Sequence, residues 1–174
     1  MEDHSLVIEC IKGNPKAQKA LFDRFAPKMY SVCLRYMKKT EPAEDVLQDA
    51  MVKIFSKLID FKNDGVLEGW IRRIVVNTCL DQLRKDAKFI GDIQAEEVEY
   101  KLENQSFIAE QLMAEDLMKL VQQMPDGYRV VFNMFAIEGY SHQEIAIQLG
   151  ISESTSKSQY LRARAYLRER IEKR

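Results

Sequence analysis

The stretch from Gly139 to Arg170 carries the beginning and end signals of two closely linked helices. Ser141 is followed three residues later by Glu144, a spacing typical of a capping box, in which each side chain bonds the backbone N–H of the other residue. Gly150 stands where a helix end favours a left-handed residue, because glycine has no Cβ to clash. Ser152 then suits the N-cap of a second helix. The sequence predicts two helices joined by a tight turn, the second beginning directly after Ser152.

The second of these helices has two chemically different faces. Its apolar residues keep a helical period and predict a face turned to a core; they are Tyr160, Ala163, Leu167 and Ile171. The other side groups residues that can contact bases or phosphates: Lys157, Ser158, Leu161 and Arg162, with Thr155 near the helix N-terminus suited to a phosphate. This arrangement is typical of a helix-turn-helix, which places its second helix in the major groove of DNA.

The charge of this region differs from that of the whole chain. From Lys157 to Arg174 there are seven Lys or Arg against two Glu, a local net charge of +5, whereas the chain as a whole has a net charge of -1. The alternative is an amphipathic helical hairpin whose basic side is only solvated. Because the capping signals and the glycine turn occur together with the basic charge, we favour nucleic-acid binding over the plain hairpin.

Composition predicts the fold class. The 174 residues suffice for one ordinary domain or two small ones, and 46% hydrophobic with 30% charged residues is typical of a globular chain rather than a disordered one. Seven Gly and four Pro are few, which favours long helices with few turns. We therefore predict an all-α fold.

The same sequence argues against several functional classes. Cys10, Cys33 and Cys79 are odd in number and widely spaced, so they predict small core residues in a reducing compartment rather than disulfides or a zinc site. His4 and His142 lie far apart and have no evident partner, which disfavours a histidine-based catalytic or metal site. No run resembles a membrane span or a signal peptide. We predict a cytoplasmic protein that is not an enzyme and has no metal, cofactor or small-molecule substrate.

Helical periodicity divides the chain into two groups. In the N-terminal part it predicts helices over 6–11, from Asn14-Pro15 to Met37, over 41–58 and over 67–85, with Pro27 kinking or interrupting the second. In the C-terminal part it predicts helices over 108–124 and 127–137, ahead of the helix-turn-helix. Two small helical domains are the expected result.

An acidic stretch separates the two groups. Asp86 to Gln105 holds six carboxylates against two lysines, and it has no long apolar stripe. Such composition favours a linker, with a polar surface helix over Ala95 to Leu102 as the alternative. The predicted organisation is a first domain over 1–88, an acidic linker over 89–107 and a second domain over 108–174.

Three segments resemble, in the correct order, three elements of the extracytoplasmic-function branch of the sigma-70 family. AEDVLQDAMVKIFSKL at 43–58 resembles the helix that docks on the polymerase clamp, and WIRRIVVNTCLDQLRK at 70–85 resembles the helix for the melted promoter element nearest the start site. Residues 124–167 resemble the helix-turn-helix domain for the upstream promoter element. The resemblance covers nearly the whole chain. Because no extra domain separates the three segments, the chain resembles the two-domain branch more than the larger housekeeping factors.

The resemblance implies a sigma factor that binds core RNA polymerase, directs it to particular promoters and assists promoter melting. The implied partners are core RNA polymerase, promoter DNA and an anti-sigma factor. The runner-up is a stand-alone helix-turn-helix repressor or activator whose first domain binds a partner or dimerises, and a helical hydrolase lacks the residues it would need. Transcription by core polymerase with and without the chain separates the first two.

The resemblance also assigns site residues in the first domain. Asp45, Gln48 and Asp49 lie within about one helical turn and form a polar, acidic patch for core polymerase. The loop over 61–68 resembles the family's pocket for an extruded base, and the predicted contacts to the melted element are Asn63, Asp64, Arg73, Asn77 and Arg84. For Trp70 we favour packing in the core over stacking on a base.

Two positions of the second helix depart from the commonest family pattern. Ser156 stands where Val is usual, and Gln159 stands where Arg is usual. On the sequence alone, both departures bear on which bases the helix reads.

Overall fold

The structure is a computed structural model that describes residues 2–94 and 114–173. The chain divides into two compact units, Met1–Gln82 and Leu83–Arg174. The described residues form nine α-helices, with one short 3-10 helix and one π-helical turn. The predicted all-α fold in two helical parts is confirmed.

The first unit contains four α-helices and one short 3-10 helix among the described residues. They are α1 (Asp3–Ile11), α2 (Pro15–Met37), α3 (Thr40–Lys57), a 3-10 helix (Leu58–Asp60) and the greater part of α4 (Leu67–Arg84). Asn14 caps α2, as predicted, by accepting the Lys16 backbone N–H at 3.0 Å. Helix α2 continues through Pro27, so an interruption there is wrong. Because Pro27 is exposed, water can hydrate the carbonyl that loses its backbone donor.

The core of the first unit is apolar. Its largest fully buried side chains are Leu21, Phe25, Met29, Tyr36, Ile54, Leu58, Leu67, Ile71 and Leu80. Cys33 of α2 and Cys79 of α4 lie within this core, with their Sγ atoms 4.0 Å apart. Cys10 is buried as well, so the prediction that all three cysteines are small core residues is confirmed.

The second unit surrounds a smaller core. After the end of α4 it contains α5 (Ala87–Gln94), α6 (Ala114–Gln123), α7 (Asp126–Phe132), a π-helical turn (Asn133–Ile137), α8 (His142–Leu149) and α9 (Glu153–Glu172). Its core cluster consists of Leu120, Val121, Met124, Phe132, Ala163 and Leu167. Tyr160 and Ile171 pack against this cluster, so the apolar face predicted for the last helix is confirmed.

Helix α5 lies where the sequence predicts the start of the linker. Phe89 and Ile93 are 1% and 0% exposed, and α5 packs against α7 and α9. The linker prediction over 89–107 is therefore corrected at 89–94, because these two apolar residues, one helical turn apart, form a buried edge within an acidic stretch. The remainder of the predicted linker, the alternative helix over Ala95 to Leu102, and residues 108–113 of the next predicted helix lie outside the described residues.

Candidate nucleic-acid interface

The turn between α8 and α9 has the predicted geometry. Ser141 Oγ accepts the Glu144 backbone N–H at 3.2 Å, and Glu144 Oε2 accepts the Ser141 backbone N–H at 2.8 Å. Gly150 ends α8 with φ of +67°, in the left-handed region that favours glycine. These contacts fix where α8 begins and ends, and the predicted capping box and glycine turn are confirmed.

The first turn of α9 is closed by hydroxyl groups. Ser152 Oγ accepts the Thr155 backbone N–H at 3.0 Å and lies 2.8 Å from Thr155 Oγ1. Thr155 is only 5% exposed, because its hydroxyl turns back toward the cap. The structure thus confirms Ser152 as N-cap but does not place Thr155 on the exposed face, contrary to the phosphate contact predicted for its side chain.

The other predicted DNA contacts of α9 are exposed or half-buried. Lys157 is exposed and its Nζ lies 2.9 Å from Glu153 Oε1, while Ser158, Leu161 and Arg162 are half-buried. The hydrogen bond and charge of Lys157 lower the pKa of Glu153. Since an exposed ion pair contributes little stability, Lys157 can exchange Glu153 for a phosphate at small cost.

The two unusual residues of α9 are buried. Ser156 is 0% and Gln159 is 1% exposed, so neither lies on the face that meets solvent. Gln159 Nε2 donates to the Ile93 carbonyl at 3.2 Å, which satisfies an acceptor in the last turn of α5. The direct effect on base choice expected from these departures is corrected, because neither buried side chain can contact a base.

His142 lies at the contact between the two helices of the motif. Its Nδ1 is 2.9 Å from Ser156 Oγ, and its ring stacks on Phe135 with centroids 4.3 Å apart and planes 12° apart. Burial, and then the charge of Lys157, lower the pKa of His142, whereas Glu153 acts in the opposite direction. Sequence reasoning found no partner for His142, because its partners lie in other elements of the fold.

The residues predicted for the melted promoter element fall into two groups. Asn63 and Asp64 are exposed in the segment before α4, and Asn63 has φ of +55°. Arg73 is exposed and Asn77 is half-buried, one helical turn apart on α4. Arg84 is the last residue of the same helix, and its Nη1 donates to the Gln148 carbonyl at 2.5 Å.

Two further contacts of the first unit concern this segment. The Asn63 side-chain amide contacts the ring of His4, a partner that the sequence did not reveal. Trp70 is half-buried, and its ring lies 5.4 Å from that of Phe61 at an angle of 52°. This ring contact supports the packing role predicted for Trp70.

The residues predicted to contact polymerase line a surface groove of the first unit. Asp45, Gln48 and Asp49 are exposed on α3. The groove measures about 460 Å³, and its other lining residues are Glu41, Pro42, Val46 and Gln82. The three predicted residues therefore share one acidic concavity, which can accept basic side chains of a partner.

The described part of the chain holds no group of three or more His, Cys, Asp or Glu arranged to bind a metal ion. No helix among those described is both long and apolar enough to span a bilayer.

Comparison with known proteins agrees with this geometry. Residues 21–89 match the family "Sigma-70 region 2", and residues 114–167 match "Sigma-70, region 4". The chain is 32% identical over 165 residues to the ECF RNA polymerase sigma factor SigM of Mycobacterium tuberculosis, covering 95% of this chain and 82% of SigM. It is 27% identical over 183 residues to the ECF RNA polymerase sigma-E factor of Escherichia coli, covering 99% and 95% of the two chains.

The chain belongs to the extracytoplasmic-function (ECF) branch of the sigma-70 family. It is a promoter-directing transcription initiation factor, which decides against the stand-alone repressor or activator considered from the sequence. The fold of this ECF factor is also similar to that of CnrH in complex with the cytosolic domain of CnrY, with a TM-score of 0.52, 24% identity, and coverage of 98% and 97% of the two chains.

Proposed function

We propose that the two units divide the tasks of this sigma factor, the first binding core RNA polymerase and the melted promoter strand, the second reading the upstream duplex. The main support for the proposal is the basic side of α9, exposed at Lys157 and half-buried at Arg162, which follows a turn capped on both helices. Lys157 and Arg162 supply donors for guanine edges or phosphates, Ser158 can donate or accept, and Leu161 can contact a thymine methyl. This set is the reading face of α9.

For the first unit we assign two surfaces. The groove with Asp45, Gln48 and Asp49 meets a basic surface of core polymerase, because exposed carboxylates attract and orient a partner of opposite charge. The segment with Asn63 and Asp64, together with Arg73 and Asn77 of α4, contacts the melted strand.

The proposal extends to partners and cell compartment. We assign this factor to the cytoplasm, no catalytic step to its own residues, and an anti-sigma protein as its regulator. One solved structure of similar fold is the sigma factor RpoE of Bartonella quintana in complex with the anti-sigma factor NepR, at 23% identity and a TM-score of 0.51. That complex motivates the search for a regulator of this chain.

The test is transcription by purified core polymerase, with and without this chain, on a promoter library. We expect new start sites that depend on the chain. Addition of the chain without any new start, or with repression of existing ones, would overturn the proposal.

The polymerase surface is tested by charge reversal. Asp45→Lys with Asp49→Lys should weaken binding to core polymerase, because both carboxylates line the groove. The matched control is Glu44→Lys with Asp60→Lys, which makes the same change of charge at exposed residues outside the groove lining. Equal core binding by the two double variants would remove the groove from the interface.

A further inference from the structure

We propose that Ser156 and His142 are positioning residues for promoter recognition, because their side-chain hydrogen bond sets the orientation of α9 against α8. The inference rests on the proposed role of α9 as the reader of the upstream duplex. Neither residue lies on the reading face; each acts through the placement of Lys157 and its neighbours.

The hydrogen bond joins the first turns of both helices. His142 is the first residue of α8, directly after the capping box at Ser141. Ser156 is fully buried in the first turns of α9 and directly precedes Lys157 in the chain. A contact of 2.9 Å between these two residues therefore restrains α9 next to the residue that begins the reading face.

The aromatic neighbours fix the direction of this bond. The His142 ring is nearly parallel to Phe135, and Tyr160 of α9 lies 5.8 Å from His142 and 4.5 Å from Phe135, tilted by 58° and 49° respectively. Stacking holds the imidazole plane, so the lone pair or N–H at Nδ1 can point in only a narrow range of directions. A hydrogen bond to a held ring restrains rotation of the partner helix, whereas an apolar contact is non-directional.

Burial makes the pairing strict. A buried hydroxyl that loses its partner retains its desolvation cost, so displacement of α9 by more than a fraction of an ångström is penalised. Ser156 places a hydroxyl in a fully buried position, where an apolar side chain would make only packing contacts. The hydroxyl thus adds to this interface a directional restraint that an apolar side chain does not supply.

The charges around His142 give the bond a pH dependence. From α9, Lys157 opposes a proton on the ring, Glu153 favours it, and the Tyr160 phenol, whose pKa burial raises, stays neutral. From the π-helical turn the ring meets Phe135, which does not titrate, and on α8 the Glu144 carboxylate is bound to the Ser141 N–H. Burial is the largest influence, and the pKa of His142 is lowered.

The lowered pKa of His142 determines how the strength of this contact changes with pH. A histidine whose pKa is lowered by folding binds protons more readily when released, so its neutral contacts contribute fully above the unfolded pKa of about 6.5. That contribution is lost as the pH falls below about 6.5 toward the lowered value. Promoter binding through α9 should weaken over the same range.

The test uses the full chain bound to core polymerase and a labelled promoter taken from the transcription assay, with a scrambled upstream element as comparison. We expect Ser156→Ala to weaken promoter binding roughly tenfold while binding to the scrambled duplex is unchanged. Ser154→Ala, an exposed serine in the first turn of α9, is the control and should bind as wild type.

The pH profile is the second measurement. Wild-type promoter binding should decrease from about pH 7.5 to about pH 5.5. His142→Asn should abolish this dependence and keep most of the affinity at the higher pH, because the Asn side chain can place a hydrogen-bonding atom near the position of Nδ1. This comparison does not depend on whether a Ser156 variant folds.

Two outcomes would overturn the inference: Ser156→Ala binding the promoter as wild type, or a loss shared equally with the scrambled duplex and accompanied by a lower melting temperature, which indicates general destabilisation. A pH dependence that persists in His142→Asn would remove His142 from the inference. Lys157→Ala separates failure of the proposed function from failure of this inference. If Lys157→Ala and Ser156→Ala both leave promoter binding intact, the proposed role of α9 as duplex reader fails. If Lys157→Ala weakens binding and Ser156→Ala does not, only the positioning role fails.

Discussion

The two units bury different kinds of side chain. Among the described residues, and apart from the Tyr36 phenol, the first unit buries a single polar side chain, Thr78, within a core of long apolar residues. The second unit has a smaller apolar core. Among the described residues it buries five polar or charged side chains: Arg129, Asn133, Thr155, Ser156 and Gln159. Three of these five belong to α9, the helix assigned to duplex reading. The first unit is thus held mainly by non-directional packing, and the second by directional bonds as well.

This difference matches what each unit has to present. The proposed surfaces of the first unit lie largely on α3 and α4, helices of 18 residues each, whose rotation is fixed by many apolar contacts. The second unit must hold the 20-residue α9 against the 8-residue α8, in which only Ile145 and Leu149 are buried. Buried hydrogen bonds compensate by permitting only one orientation.

The largest effect is expected at Arg129. This residue is 1% exposed, and its Nη1 lies 2.7 Å from Asp126 Oδ1 and 3.4 Å from the Met124 carbonyl. Arg129→Ala removes a large buried side chain together with these bonds, and we expect a loss of about 3–5 kcal/mol in the stability of the second unit. Arg129→Met, which keeps most of the volume, separates lost packing from lost hydrogen bonds.

The measurement exploits the single tryptophan. Trp70 lies in the first unit, so its fluorescence reports unfolding of that unit, whereas far-UV circular dichroism reports both. In urea, Arg129→Ala should lower only the transition that the fluorescence does not follow. A shift of the Trp70 transition by the same amount would show that the units unfold together.

A matched change in the first unit is Ile54→Ala. Ile54 is 0% exposed in an apolar core, so the truncation leaves a cavity and should cost about 2–5 kcal/mol. Ile54→Leu preserves the volume and should cost less than about 1.5 kcal/mol. The Trp70 transition checks both values; a large cost for the leucine variant would show that this core, too, depends on specific geometry.

The structural features that the sequence predicted correctly are local. The capping box at Ser141 and Glu144, the left-handed Gly150 and the cap at Ser152 each depend on contacts within about one helical turn. Such contacts are determined by residue type and spacing alone, so they can be predicted from the sequence.

The features that were missed depend on contacts distant in sequence. Composition classed the acidic stretch as linker, although Phe89 and Ile93 bury an edge of α5 against α7 and α9. Gln159 binds the carbonyl of Ile93, 66 residues away, and His142 binds Ser156, 14 residues away. Spacing within one helix contains no information on such partners, which is why neither pair was predicted.

Substitutions on the reading face of α9 should change DNA binding without changing the buried contacts of the second unit. Lys157→Ala and Arg162→Ala should each weaken binding to the upstream duplex by about 1–3 kcal/mol if the contact is to a base edge. Lys173→Ala, at the C-terminal end of α9 and paired with Glu169 at 2.6 Å, removes one positive charge outside the reading face and is the control. An unchanged footprint in both reading-face variants would place DNA recognition elsewhere.

The smallest effect is expected at Gln159, which joins two elements of the second unit. Its Nε2 donates to the Ile93 carbonyl, in the last turn of α5, where backbone acceptors lack helical partners. The Gln159 side chain also lies close to Gly127, where an added Cβ would be 3.1 Å from Gln159 Oε1 and the amide would have to shift by a few tenths of an ångström. Gln159→Ala should cost about 0.5–1.5 kcal/mol, the net contribution of one such bond.

Because α5 has only eight residues, it depends on docking rather than on its own helix propensity. The loss at Gln159 should therefore appear as faster hydrogen exchange of the α5 amides, while exchange in α8 stays unchanged. Gln143→Ala, an exposed glutamine of α8, is the control and should leave both helices as they are. Unaltered protection of α5 in Gln159→Ala would mean that the burial of Phe89 and Ile93 alone holds this helix, as apolar packing holds the first unit.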